Sequence, residues 1–133
     1  MKKLLIVCTG NSCRSQMAEG IARHLYGDIC EVHSAGTHPS YVHPTAIEVM
    51  EEINIDISGH RSRSVEEFKD ELLDVVITVC DHAKENCPLF SNAKTTLHWP
   101  FRDPVGPSNI ILFREVRDEI FEKLKSDLRP LLR

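Results

Sequence analysis

Cys8 and Arg14 stand six positions apart in VCTGNSCRS, with Thr9, Gly10, Asn11, Ser12 and Cys13 between them and Ser15 directly after. A thiolate is a strong nucleophile, and a guanidinium is a planar fork that clamps two oxygens of a tetrahedral anion. Small residues between the two let successive backbone N–H groups turn inward around such an anion. The same positive surroundings favour the thiolate at Cys8 and lower its pKa. One loop thus supplies a nucleophile and, from Thr9 to Arg14, an oxyanion cradle.

Three further residues hold reactive groups. Asp103, in FRDPVG, sits in an Asp-Pro pair, which alone is ordinary turn chemistry. Cys80 and Cys87 lie seven positions apart in CDHAKENCP. By themselves they suit two buried thiols flanking a short helix, or two metal ligands helped by His82, although the closely spaced second pair of a zinc site is missing. Cys30, in ICEVHSAG, reads as a small buried strand residue. Cys13 reads as packing within its loop. His33, His38, His43, His60 and His98 form no motif.

The reactive loop needs elements that hold it. Leu4 to Val7 is an apolar run that suits a strand buried on both faces. From Arg14 the pattern becomes helical, with Met17, Ala18, Ile21, Ala22 and Leu25 on one face and Gly27 at the end. Ile29 to Ala35 follows as a second strand. Pro44 opens a helix with Ile47, Met50 and Ile53 inward, and 58–64 is a polar loop. LLDVVITV, from Leu72 to Val79, is the strongest strand signal, and it runs directly into Cys80. Lys94 to His98 makes a fourth strand. Ile110, Phe113, Val116, Ile120, Leu124 and Leu128 mark a long terminal helix.

This alternation predicts a three-layer α/β fold, a four-stranded parallel sheet with helices on both faces. Ligands then bind beyond the carboxyl ends of the strands, where residues 8 to 15 lie. Asp103 follows the fourth strand and so returns to the same edge.

A chain of 133 residues is about the size of one domain, here the whole of 1–133. Its 16 Lys and Arg against 20 Asp and Glu, with no long block of one sign, argue against general nucleic-acid binding. No stretch approaches the roughly 18 apolar residues of a membrane span. Five cysteines with no secretory signal read as mostly reduced thiols. A cytoplasmic protein that binds neither nucleic acid nor membrane is expected.

The segment from Cys8 to Ser15, C-x5-R-S after the first strand, resembles the phosphate loop of the low-molecular-weight tyrosine phosphatase family. QMAEG after it and SAG at 34–36 resemble one branch of that family, the thioredoxin-coupled arsenate reductases. The similarity runs through VRDEI near the C-terminus. It implies a sheet of order 2-1-3-4, in which the strands leading to Cys8 and Cys80 are neighbours. It also implies Cys8 as nucleophile, Ser15 holding its thiolate, Arg14 on the anion and Asp103 as general acid. Cys80 and Cys87 become a relay: Cys80 attacks the Cys8 adduct, and Cys87 moves the disulfide onward for thioredoxin to reduce. If the segment between them is helical, about 10 Å separates the two along its axis, so disulfide formation needs that turn to unwind.

Arsenate is the implied substrate, with phosphate or sulfate as competing oxyanions, in a monomer with no tightly bound cofactor. Two alternatives stay open. A tyrosine phosphatase of the same fold is one, although Val105, Gly106 and Pro107 after the Asp-Pro pair supply no aromatic wall. A non-catalytic oxyanion-binding domain is the other. Relatives of the reductase branch hold a potassium ion beside the loop, through residues matching Asn11, Glu19 and Ser34 and an aspartate whose place falls on Arg63. A guanidinium cannot ligate a cation. The expectation is therefore that no metal binds there, that Arg63 pairs with Glu19 to support the loop, and that potassium is not required.

Overall fold

The computed structural model describes residues 1–79, 92–106 and 110–132. Cys80, His82 and Cys87 lie outside the described residues.

Strands β1 (Lys2–Cys8), β2 (Cys30–Gly36), β3 (Leu73–Thr78) and β4 (Ala93–His98) form one sheet of order β2-β1-β3-β4, with every pairing parallel. Leu4, Leu5, Ile6 and Val7 are all fully buried. A central strand covered on both faces needs such an unbroken apolar run. β4 lies at the edge, and Lys94, Thr95 and Thr96 are exposed there.

Helix α1 (Arg14–Tyr26) leaves the end of β1 and packs on α2 (Pro44–Glu51) and α3 (Ile110–Lys123). Neighbouring strand residues point to opposite faces of a sheet. Ser34 of β2 meets Glu19 of α1, whereas the ring of His33 lies 5.2 Å from Phe68. The 3-10 helix Val65–Phe68 therefore covers the face opposite α1. Phe68 and Val65 are both buried there.

Two elements differ in detail from the sequence expectation. In α2 the buried residues are Ala46, Val49 and Met50, while Ile47 and Ile53 are only partly covered. The terminal helix also changes pitch, continuing as a π turn over Leu124–Leu128 and a 3-10 turn over Arg129–Leu132. The Tyr26 hydroxyl reaches the carbonyls of Leu124 and Lys125, at 2.8 and 3.2 Å. Leu124 and Leu128 remain buried, so the spacing of apolar residues still selects the inward side. Among the described residues no helix is long and apolar enough to cross a membrane.

Candidate active site

The strand ends converge where the sequence places the reactive loop. Val79, one residue before Cys80, donates its N–H to the carbonyl of Val7, one residue before Cys8, at 2.9 Å. Phe101 donates to Val79 at 3.0 Å, which brings the segment carrying Asp103 to the same edge.

The loop is held from outside by its carbonyls. Those of Cys8, Thr9, Gly10 and Ser12 accept from the N–H groups of Thr37, His38, Ser40 and His43, at 3.3, 2.8, 3.1 and 3.1 Å. The Asn11 carbonyl accepts from Gln16 Nε2 at 3.1 Å. Ser62 adds a hydroxyl to Gly10 at 3.0 Å. With its acceptors spent on protein partners, the loop has amides and the N-terminus of α1 to offer an anion. Asn11 sits at φ 45°, a left-handed conformation that asparagine tolerates better than most residues.

Gly36 has to be glycine because β2 runs so close behind this loop. A Cβ there would lie 2.6 Å from the Thr9 carbonyl oxygen and 2.9 Å from the Asn11 nitrogen, both backbone atoms. Gly36→Ala is expected to displace the cradle, weakening phosphate binding about tenfold and costing about 1–3 kcal/mol of stability. Calorimetric titration and thermal melting check this; wild-type affinity in the variant would contradict it.

The hydrogen bonds behind Cys8 form a chain whose direction the Asn11 amide sets. Asn11 Oδ1 accepts from the Arg63 N–H at 2.8 Å and from Gln16 Nε2 at 3.0 Å, which fixes the orientation of the amide. Its Nδ2, a pure donor, then reaches Ser15 Oγ at 2.8 Å and Ser34 Oγ at 2.9 Å. Ser34 donates its own proton to Glu19 Oε1 at 2.5 Å. Ser15 is left to donate to Cys8 Sγ, 2.8 Å away. A sulfur that accepts such a bond is favoured as thiolate. Asn11, Ser15, Gln16 and Ser34 are fully buried, so this polarity is protected from water.

In front of the loop lies a cavity of about 540 Å³, lined by Cys8, Thr9, Gly10, Ser12, Cys13, Arg14, Phe101, Arg102, Asp103 and Val105. Arg14 Nη1 donates to the Phe101 carbonyl at 3.1 Å, and its Nη2 lies 3.9 Å from Asp103 Oδ2. Asp103 Oδ1 accepts from the Val105 N–H at 2.9 Å, an Asx turn closed over buried Pro104. The Asp103 side chain is 56% exposed at the mouth of the cavity. Cys13 lines the cavity, and burial pushes its pKa up to about 11. Burial likewise pushes Cys30 up to about 11, far from the cavity in β2.

Behind the loop the arrangement departs from the expected one. Arg63 does not pair with Glu19: its guanidinium lies over the Phe68 ring, 5.9 Å from the centroid, and its backbone holds Asn11 and Gly36. The next residue, Ser64, makes a single bridge to Gly36 of β2, and the Arg63 side chain lies with Phe68, on the face opposite α1. Glu19 instead meets Arg23 Nη1 at 2.9 Å, one helical turn along α1. His60 approaches the same carboxylate at 3.4 Å. Gln16 Oε1 accepts from His60 Nδ1 at 2.9 Å, which leaves Nε2 bare to accept from Arg23 at 3.1 Å. Burial holds His60 below its ordinary pKa, in keeping with a neutral ring. Gln16, Arg23, His60, Ser40 and Ser62 were not predicted as site residues; only Gln16 falls in a quoted motif.

The chain matches the family model described as low molecular weight phosphotyrosine protein phosphatase over residues 3–132. It is 46% identical over 124 residues to arsenate reductase 2 of Staphylococcus saprophyticus, covering 93% of this chain and 94% of that one. A solved arsenate reductase in a phosphate-binding state superposes with a TM-score of 0.87 at 42% identity, over 98% of this chain and 99% of that one. A thioredoxin-dependent arsenate reductase of Corynebacterium glutamicum superposes with a TM-score of 0.73 at 28% identity, over 98% of this chain and 63% of that one. A cysteine under an oxyanion loop, an arginine beside it and near-full-length agreement converge on one conclusion: the chain belongs to the low molecular weight phosphotyrosine protein phosphatase family.

Proposed function

We propose that this protein, acting as a single cytoplasmic domain, reduces arsenate to arsenite and draws its electrons from thioredoxin. The observation that carries the reading is the Val79 to Val7 hydrogen bond, which sets the residues before Cys80 and Cys8 side by side beneath the oxyanion cavity. The similarity to arsenate reductases over almost the full length supports it, and the Corynebacterium relative supports thioredoxin as the reductant.

The loop amides and Arg14 bind arsenate, and the Ser15 hydroxyl keeps Cys8 as thiolate. Cys8 attacks arsenic as Asp103 protonates the departing oxygen, which leaves as water. Cys80 then attacks Cys8 sulfur. A disulfide forms, the S–As bond breaks, and its electron pair stays on arsenic, which departs as arsenite. Cys87 attacks Cys80, freeing Cys8 as thiolate, and thioredoxin reduces the Cys80–Cys87 disulfide by thiol exchange. Phosphate and sulfate fit the same cradle and compete, because neither accepts the two electrons.

Against the phosphatase alternative, the described residue that follows Pro104 at the cavity is exposed Val105 and not an aromatic one. Purified protein supplied with arsenate, thioredoxin, thioredoxin reductase and NADPH is expected to consume NADPH and release arsenite in equal amounts. Hydrolysis of para-nitrophenyl phosphate without arsenate-dependent NADPH consumption would instead identify a phosphatase. Phosphate binding with neither activity would identify a binding domain.

A further inference from the structure

Glu19 is a carboxylate in a place that water hardly reaches. Its residue is 8% exposed, and it accepts a short hydrogen bond from fully buried Ser34. A charge taken out of water needs a partner close by. Arg23 meets this need with Nη1 on Glu19 Oε2, while its Nη2 donates to the Val32 carbonyl at 2.6 Å. One further contact fixes the guanidinium: His60 Nε2 accepts from Nη1 at 3.1 Å.

A potassium ion does not fit beside these residues. Asn11 turns its Nδ2 donor toward Ser34, and its Oδ1 already serves Arg63 N–H and Gln16 Nε2. Ser34 Oγ accepts from Asn11 and donates to Glu19. Glu19 Oε2 is taken by Arg23. The oxygens a cation would need are thus committed to N–H and O–H donors, and a fixed positive charge already stands at the carboxylate.

We propose that Arg23 is a positioning residue, the built-in cation that pairs with Glu19 and, through the chain of hydrogen bonds from Glu19 to Ser34, Asn11 and Ser15, steadies the hydroxyl at the nucleophile. Glu19 accepts the Ser34 proton, and Ser34 in turn accepts from the Asn11 amide that Arg63 N–H and Gln16 orient. The same Asn11 nitrogen donates to Ser15, whose proton then has Cys8 as its destination. The proposal rests on Cys8 as nucleophile and not on the identity of the oxyanion it attacks.

The test reads the rate of Cys8 alkylation by iodoacetamide at neutral pH, together with single-turnover arsenate reduction, in potassium and in sodium at equal ionic strength. Mass spectrometry confirms the labelled cysteine. Arg23→Ala is expected to slow alkylation and turnover about fivefold, with phosphate affinity changed less than about twofold. Arg23→Lys should restore most of the loss, since an ammonium also neutralises Glu19. In a Glu19→Gln background, removing Arg23 should have little further effect, because no charge remains to neutralise. Wild type should respond equally to both cations, and Arg23→Ala should recover partly in potassium. Potassium activation of wild type would overturn the proposal. So would an Arg23→Ala protein with wild-type alkylation, or one whose loss is just as large in the Glu19→Gln background. Normal alkylation effects without arsenate turnover would leave Arg23 in its role and reject the substrate reading alone.

Discussion

Cys87→Ser is expected to reduce one equivalent of arsenate and then stop, holding a disulfide between Cys8 and Cys80. Thiol exchange requires an attacking thiolate in line with the bond it breaks, and each step leaves the next sulfur as the electrophile. In the proposed relay Cys8 makes the first attack, with Ser15 Oγ 2.8 Å from its sulfur. The parallel pairing of β1 with β3, with Val79 bonded to Val7, aligns the strands that lead to Cys8 and to Cys80, the second attacker in the proposed relay. A serine at 87 cannot make the third, because its hydroxyl is protonated and cannot displace a thiolate from a disulfide. Multiple turnover then falls to a single cycle, and mass spectrometry of the alkylated protein finds the trapped pair. Cys80→Ser should form no such bond. Cys8→Ser should be inactive throughout, since a serine hydroxyl stays protonated at neutral pH where a thiol can ionise. Sustained thioredoxin-dependent turnover by Cys87→Ser or Cys80→Ser would reject the relay.

The parts of the site legible in the sequence are those whose chemistry is local. Leu4 to Val7 announces a doubly covered strand through four consecutive apolar residues, all of which are fully buried. Cys8 and Arg14 bracket a loop short enough that their spacing alone brings them to one cavity. The supporting layer is different. Ser62 reaches Gly10 from 52 positions away, and His60 reaches Gln16 from 44. Neither distance leaves a periodic trace, because the contacts depend on the path of the loop between α2 and the 3-10 helix. Arg63 illustrates the limit: counting positions finds the right stretch of chain, yet its backbone N–H rather than its guanidinium serves Asn11. Arg23 is hidden for another reason. At i+4 from Glu19 it looks like an ordinary exposed helical ion pair, and only the burial of Glu19 gives the contact its weight.

Asp103→Asn and Arg14→Ala separate acid from cradle. Asparagine keeps the size of the aspartate and an acceptor for the Val105 N–H, so the Asx turn that closes on Asp103 at 2.9 Å should survive. It has no proton to give at neutral pH. General acid catalysis contributes typically about 10² to 10⁴ in rate, so single-turnover reduction should fall by about that factor. Oxyanion affinity should hold or rise slightly, since the variant removes a carboxylate 3.9 Å from Arg14 that competes with the bound anion for the guanidinium. Arg14→Ala acts on both quantities. The guanidinium is anchored by the Phe101 carbonyl at 3.1 Å and points into the cavity, where it meets the oxyanion before and during reaction. Each hydrogen bond to a charged group is worth about 1.5–3 kcal/mol, so losing a two-pronged clamp should weaken phosphate binding by about 10- to 100-fold or more. Turnover should fall at least as far, because charge gathers on those oxygens as the leaving group departs. Phosphate titration of both variants, beside quenched-flow reduction, reads the two effects separately. Equal loss of affinity in the two variants, or near wild-type turnover in Asp103→Asn, would contradict these roles.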